Sequence, residues 1–211
     1  MAYDLYVITD EGLGRGLSHA ELARRAVAGG ADAIQLRDKR LSGRDFLRAA
    51  SAVREITRDA GALFIVNDRL DVALAAGADG VHLGESDLPV GEARRLAPPG
   101  FIIGASVGSV ATAVRAGAEG ADYVALSPTF STASKDDAGP GHGLAVLSAV
   151  RAAVSLPLVA IGGITAGNVS DVIAAGADGV AVMSAVVGQE DVTAAARDLR
   201  SRIAAAKAGR R

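Results

Sequence analysis

The sequence predicts a single parallel (β/α)8 TIM barrel, and three observations carry that prediction. A helix–glycine–strand phrase recurs along the chain. Short β-prone runs alternate with Ala-rich stretches of helical spacing until eight of each are counted. The composition is 50% hydrophobic yet only 3% aromatic, with no Trp. A core of Ala, Val, Leu and Ile suits parallel strands covered by helices on their outer face. At 211 residues the chain fits one domain over 1–211, with a frayed helix end expected at 208–211.

The phrase appears as Ala28-Gly29-Gly30-Ala31-Asp32, Ala76-Gly77-Ala78-Asp79-Gly80, Ala116-Gly117-Ala118-Glu119-Gly120 and Ala175-Gly176-Ala177-Asp178-Gly179. Its physical reading is a helix closed by a left-handed glycine, then a tight turn into a buried strand. In order, the expected elements are strand 5–8 and helix 19–28, strand 33–36 and helix 44–60, then strand 62–66 and helix 69–76. They continue with strand 80–83 and helix 90–96, strand 101–105 and helix 109–117, and strand 122–126 and helix 143–154. Strand 157–161 with helix 166–175 and strand 179–183 with helix 190–207 complete the set. Strands joined by helices exclude an antiparallel sandwich. A doubly wound open sheet is the competing architecture. It is disfavoured because Gly12, Gly14 and Gly16 after the first strand do not follow the G-x-G-x-x-G order.

A formal net charge of −2 gives no global pull toward nucleic acid or anionic membrane, so any phosphate site must be local. The absence of cysteine excludes thiol nucleophiles, thiolate metal sites and disulfides. No basic region precedes an apolar segment in Met1-Ala2-Tyr3-Asp4, and no apolar run approaches the roughly 20 residues of a membrane span. A cytoplasmic protein acting on small molecules, without nucleic-acid or membrane partners, is expected.

In such barrels the chemistry comes from the C-terminal ends of the strands. After strand 2 stand Gln35-Leu36-Arg37-Asp38-Lys39, with two cations able to cradle phosphate oxygens, or simply a solvated charge run. Asn67-Asp68-Arg69 follows strand 3 and His82-Leu83-Gly84-Glu85-Ser86-Asp87 follows strand 4. Asn67, Asp68 and Asp87 read equally as helix caps. Together, however, Asp68 and Asp87 offer the one or two carboxylates that Mg²⁺ takes beside a phosphate-bearing substrate. Ser106 ends strand 5 as a hydroxyl at the mouth or a cap for the helix near 109. The long segment 127–143 reads as a lid. Gly162-Gly163 and Met183-Ser184, after strands 7 and 8, match the backbone phosphate site of many barrels. His82 reads first as a hydrogen-bonded packing residue; His19 and His142 are weaker candidates, and Tyr6 and Tyr123 read as barrel filling.

These residues in this order resemble the thiamine phosphate synthase family. The marks are Tyr6-Val7-Ile8-Thr9-Asp10, Gln35-Leu36-Arg37-Asp38-Lys39, Asn67-Asp68-Arg69-Leu70-Asp71-Val72-Ala73, Gly80-Val81-His82-Leu83-Gly84, Asp87-Leu88-Pro89, Thr132-Ala133-Ser134-Lys135 and Gly162-Gly163-Ile164. The resemblance implies coupling of a hydroxymethylpyrimidine diphosphate to a thiazole phosphate, with release of diphosphate by a dissociative path. It implies that Gln35, Arg37, Lys39 and Asn67 bind the pyrimidine diphosphate, within the segment that includes Leu36 and Asp38. Asp68 and Asp87 would hold Mg²⁺, and Ser106 and Lys135 would face the diphosphate. Thr132, Ala133, Ser134, Gly163, Met183 and Ser184 would bind the thiazole phosphate. Glu85, Ser127 and Ser134 depart from the family pattern. Three other functions compete: a thiazole tautomerase of the same superfamily, a sugar-phosphate isomerase or epimerase, and a non-catalytic phosphate sensor. The cations at Arg37 and Lys39 serve no purpose in the first two. The number of charged strand ends disfavours the third.

Overall fold

Alternation of short buried runs with helices resolves, in a computed structural model describing residues 4–132 and 139–209, into eight parallel strands closed in sequence order. The units are β1 (Leu5–Thr9), α1 (His19–Ala28), β2 (Ala33–Leu36), α2 (Gly43–Ala60), β3 (Leu63–Asn67), α3 (Leu70–Ala75), β4 (Gly80–Leu83) and α4 (Val90–Leu96). They continue with β5 (Ile102–Val107), α5 (Val110–Ala118), β6 (Tyr123–Leu126), α6 (Gly143–Ala153), β7 (Leu158–Ile161), α7 (Val169–Ala174), β8 (Gly179–Val182) and α8 (Val192–Ala208). Pairing of β1 with β8, through Leu5↔Val180 to Val7↔Val182, closes the barrel. Around it, inward helix residues such as Leu22, Phe46, Val53, Leu147, Leu199 and Ile203 are buried. No helix of the described residues is long and apolar enough to cross a membrane.

Two expected boundaries move for local reasons. α7 begins at Val169 rather than near 166, because the Asn168 carboxamide accepts from Thr165 N and donates to Gly163 O, holding 165–168 as a turn. β5 runs on to Val107, so Ser106 is a strand residue; the cap of α5 is Ser109, in a reciprocal capping box with Thr112.

The repeated phrase is built differently from its expected form. The positive-φ glycines are Gly30, Gly77, Gly120 and Gly176, each one residue beyond its helix's C-cap, and Gly117 lies within α5. The equivalent unit is therefore Gly-Ala-Asp, ending in Asp32, Asp79, Asp122 and Asp178. Each of these carboxylates accepts the backbone N–H of a residue at the start of the preceding strand: Leu5, Phe64, Ile103 and Leu158 at 2.7–2.9 Å. Each also receives an arginine from an even-numbered helix: Arg200, Arg54, Arg94 and Arg151 respectively. The barrel is thus clamped at four places around its N-terminal rim, once every two β/α units.

Asp79→Ala should strand the N–H of fully buried Phe64 and leave Arg54 without this acceptor, which costs about 1–3 kcal/mol. Urea unfolding should show a lower midpoint at unchanged slope, with activity at 25 °C intact because the clamp lies opposite the strands' C-terminal ends. An unchanged midpoint would reduce the clamp to a surface decoration.

Candidate active site

A cavity of about 620 Å³ opens at the C-terminal ends of the strands. Its walls include Gln35, Arg37, Lys39, Asn67, Asp68, Asp87 and Ser106, so residues from β2 to β5 converge on one space. Glu85, Ser109, Thr112, Ser127 and His142 also line it.

The β2 end is held from beneath by the β1 loop. Arg37 donates to Asp10 Oδ2 at 3.2 Å, while the other Asp10 oxygen accepts from Leu13 N. Buried His19 contacts Thr9 Oγ1 at 2.8 Å and Asp38 Oδ2 at 3.4 Å, and Asp38 Oδ1 accepts from Arg40 N and Leu41 N. Burial works to raise the Asp38 pKa, but those N–H groups and His19 outweigh it and hold the carboxyl below its ordinary value. Asp38 is therefore committed to shaping the loop that presents Arg37 and Lys39. Leu36 is fully buried in the core. Neither Leu36 nor Asp38 lines the cavity.

The cap readings do not describe Asn67, Asp68 or Asp87, since α3 and α4 carry no side-chain cap bond. Asp68 instead sits in the left-handed region at φ 63°, its N–H donated to His82 O. Non-glycine residues rarely adopt that conformation, although Asp and Asn tolerate it best. Asp87 Oδ2 accepts from Gly84 N at 2.7 Å, which folds the β4 loop so that its carboxyl faces Asp68. Burial, then the hydrogen bond and charge of Asp87, push the Asp68 carboxyl up to about 6, against the opposing pull of Lys39 and Arg37.

Burial and the facing Asp87 carboxyl disfavour ionisation of Asp68, and an oxygen donor pair of this kind is chemically suited to a hard divalent cation. Among the described residues no group of three or more His, Cys, Asp or Glu forms a ready-made metal cage. A two-carboxylate site for Mg²⁺, completed by water and substrate oxygens, fits the pair.

Below the mouth, His82 Nε2 lies 2.9 Å from Ser106 Oγ, and His82 Nδ1 lies 2.9 Å from Tyr123 Oη. His82 is thus a hydrogen-bonded packing residue beneath Ser106. Tyr6 and Tyr123 are buried fillers that also carry hydrogen bonds.

The remaining sequence-derived residues lie elsewhere. Gly163 follows β7, and Met183 and Ser184 follow the neighbouring β8; none of them lines the cavity, which reaches only to Ile161. Gly162 and Gly163 have φ of 97° and 65°, and a Cβ on Gly163 would stand 2.6 Å from Ser131 O. That close approach lets Phe130 N donate to Gly162 O and seats the start of the 127–143 segment on the β7 end. Half-buried Thr132 is described, whereas Ala133, Ser134 and Lys135, with the tip of the expected lid, lie outside the described residues. The role of Asp10 escaped the sequence reading, although strands 1 and 2 being neighbours places their loops together.

Residues 5–186 match the family described as thiamine monophosphate synthase. A thiamine-phosphate synthase of Methanoculleus marisnigri is 81% identical over 208 residues, covering 99% of each chain. That of Methanoregula boonei is 65% identical over 207 residues, covering 98% of this chain and 96% of the relative. Among solved structures, a thiamine phosphate pyrophosphorylase from Pyrococcus furiosus superposes with a TM-score of 0.90 at 44% identity, covering 97% of this chain and 96% of that one. A 3-hexulose-6-phosphate synthase at 21% identity and TM-score 0.71 shares the fold alone.

Proposed function

The chain belongs to the thiamine monophosphate synthase family, and from that premise we propose that it is a transferase joining 4-amino-2-methyl-5-hydroxymethylpyrimidine diphosphate to 4-methyl-5-hydroxyethylthiazole phosphate, forming thiamine phosphate and diphosphate. One observation supports this reading most: Gln35, Arg37, Lys39, Asn67, Asp68, Asp87 and Ser106 line a single cavity. Two cations, two carboxylates and a hydroxyl around one space suit a diphosphate and its counter-ion. A thiazole tautomerase has no use for that set.

Asp68 and Asp87 would hold Mg²⁺, which when bound supplies positive charge to the diphosphate oxygens. Arg37 and Lys39 then bind the same diphosphate from the β2 side and stabilise the charge it gains as the C–O bond breaks. Ser106 donates to a diphosphate oxygen. Gln35 and Asn67 orient the pyrimidine. The thiazole nitrogen is itself the nucleophile, so no side chain need act as a strong base. Positioning of the two substrates is the other main contribution. Gly163, Met183 and Ser184 would seat the thiazole phosphate together with Thr132, Ala133 and Ser134, and Lys135 would face the diphosphate beside Ser106.

The test is incubation of the purified protein with both substrates and Mg²⁺, following thiamine phosphate as fluorescent thiochrome after oxidation. Thiamine phosphate should form with both substrates present and disappear on addition of EDTA. Folded protein that interconverts thiazole tautomers and makes no thiamine phosphate would move the assignment to the tautomerase.

A further inference from the structure

A chain of hydrogen bonds crosses the barrel beneath the cavity and joins two residues of the proposed site. Gln35 Nε2 donates to Tyr6 Oη at 2.9 Å, and Tyr6 Oη lies 3.1 Å from Tyr123 Oη. Tyr123 Oη meets His82 Nδ1, and His82 Nε2 meets Ser106 Oγ, both at 2.9 Å. Gln35, Tyr6, Tyr123 and His82 are at most 6% exposed. Room for the Tyr123 ring comes from Gly104, two residues before Ser106 on β5, where a Cβ would stand 2.0 Å from Tyr123 Cζ. The His82 ring stacks on Tyr123 with centroids 5.6 Å apart and planes inclined by 27°.

The direction of the protons along such a chain has chemical consequences. If Ser106 gives its hydroxyl proton to His82, it turns only lone pairs toward the cavity and repels a polyanion. If His82 gives its Nε2 proton to Ser106, the serine proton points into the cavity. A neutral His82 with Nε2–H must accept at Nδ1, and the donor there is the Tyr123 hydroxyl. The Tyr6 hydroxyl then donates to Tyr123, while the Gln35 amide, which can only donate through Nε2, feeds the other end. Every bond along the chain is satisfied with one proton in each.

We propose that Tyr123 and His82 are positioning residues that fix the direction of this chain, so that Ser106 presents its hydroxyl proton to the leaving diphosphate. The inference rests on the synthase reading for its substrate. Its proton order can be read without any substrate.

Two measurements test it. Long-range ¹⁵N–¹H NMR of the unliganded protein reports the tautomer of His82, assigned among the chain's three histidines by comparison with His82→Gln. The expected state carries the proton on Nε2 and leaves Nδ1 bare; a proton on Nδ1 overturns the proposal. This readout stands whether or not the protein couples the two substrates, so its failure is distinct from failure of the synthase assignment.

In kinetics, Tyr123→Phe should lower kcat/KM for the pyrimidine diphosphate about tenfold, as losing the orientation of one charged hydrogen bond does. The KM for the thiazole phosphate should not move. In a Ser106→Ala background the same change should cost nothing further, because its route is gone. Equal losses in both backgrounds, or a change in the thiazole KM, would show a general structural role and overturn the proposal. If Tyr123→Phe fails to fold, the wild-type tautomer still decides.

Discussion

Asp68→Asn should cripple Mg²⁺-dependent coupling and yet make the metal-free protein more heat-stable. The loss follows from removing one of two negative charges on the proposed cation, on the order of 10²–10³-fold in kcat by analogy with deleting a group that stabilises developing charge. The gain has two causes. Asn suits φ 63° at least as well as Asp, and it carries no charge to bury beside Asp87. The folded-state pKa of Asp68 is raised from 3.8 to about 6. A raised carboxyl contributes stability that is complete below the unfolded value and is lost as pH rises from about 3.8 through about 6. Above pH 6 the metal-free wild type therefore carries the whole penalty. Allowing for solvent screening at this half-buried site, Asp68→Asn should raise Tm in EDTA by about 2–4 °C, the shift of a ~1 kcal/mol gain in a domain of this size. The advantage should shrink toward pH 4. The same titration predicts that wild-type protein at limiting Mg²⁺ loses activity as pH falls below about 6, since the proton and the cation compete for one carboxyl. Melting curves in EDTA and a Mg²⁺ titration of initial rates check both halves. A variant with wild-type Mg²⁺ dependence would remove Asp68 from the metal site.

The contrast between what the sequence disclosed and what it hid is one of range. Helices and strands were readable because their signals are local: Ala-rich helical spacing, glycine after each helix, short buried runs. The recurring Gly-Ala-Asp was visible, whereas its purpose was not. Asp122 acts on Ile103 and Arg94, which lie in other units of the barrel. Which glycine of the third copy turns the chain also depends on where α5 stops, and Gly117 and Gly120 look alike in the sequence. Charged groups at strand ends were legible because the fold assigns that end to chemistry. The supports were not. Asp10 and Arg37 are 27 residues apart, and Tyr6 and Tyr123 are 117 apart. Tyr6 and Tyr123 read as filler because an aromatic in a buried strand has no periodic mark that separates packing from hydrogen bonding, whereas His82 reads correctly as a hydrogen-bonded packing residue whose partners stay hidden. Asp38 shows the converse. It sits within the motif that carries the resemblance, yet its oxygens close the loop and meet His19.

Arg37→Ala should lower kcat on the order of 10²–10³-fold with little change in KM for the pyrimidine diphosphate, and the reason lies in when its charge matters. On the proposed reading, Lys39 and a cation held by Asp68 and Asp87 would already bind the diphosphate in the ground state. As the C–O bond breaks, its electron pair would pass to the bridging oxygen, and Arg37 would gain interaction energy that it lacks in the ground state. An interaction strengthened in the transition state appears in kcat, whereas one of equal strength throughout appears in KM. Arg37→Lys should rescue poorly, because an ammonium cannot hold Asp10 and a phosphate oxygen with one planar fork. Asp10→Ala separates charge from orientation. Arg37 keeps its charge but loses the 3.2 Å contact that aims it, so the expected cost is about tenfold, well short of removing the guanidinium. Steady-state kinetics of the three variants decide the matter. A raised KM at unchanged kcat in Arg37→Ala would make the residue a simple anchor. Equal losses in Asp10→Ala and Arg37→Ala would instead place the energy in the aim of the side chain rather than in its charge.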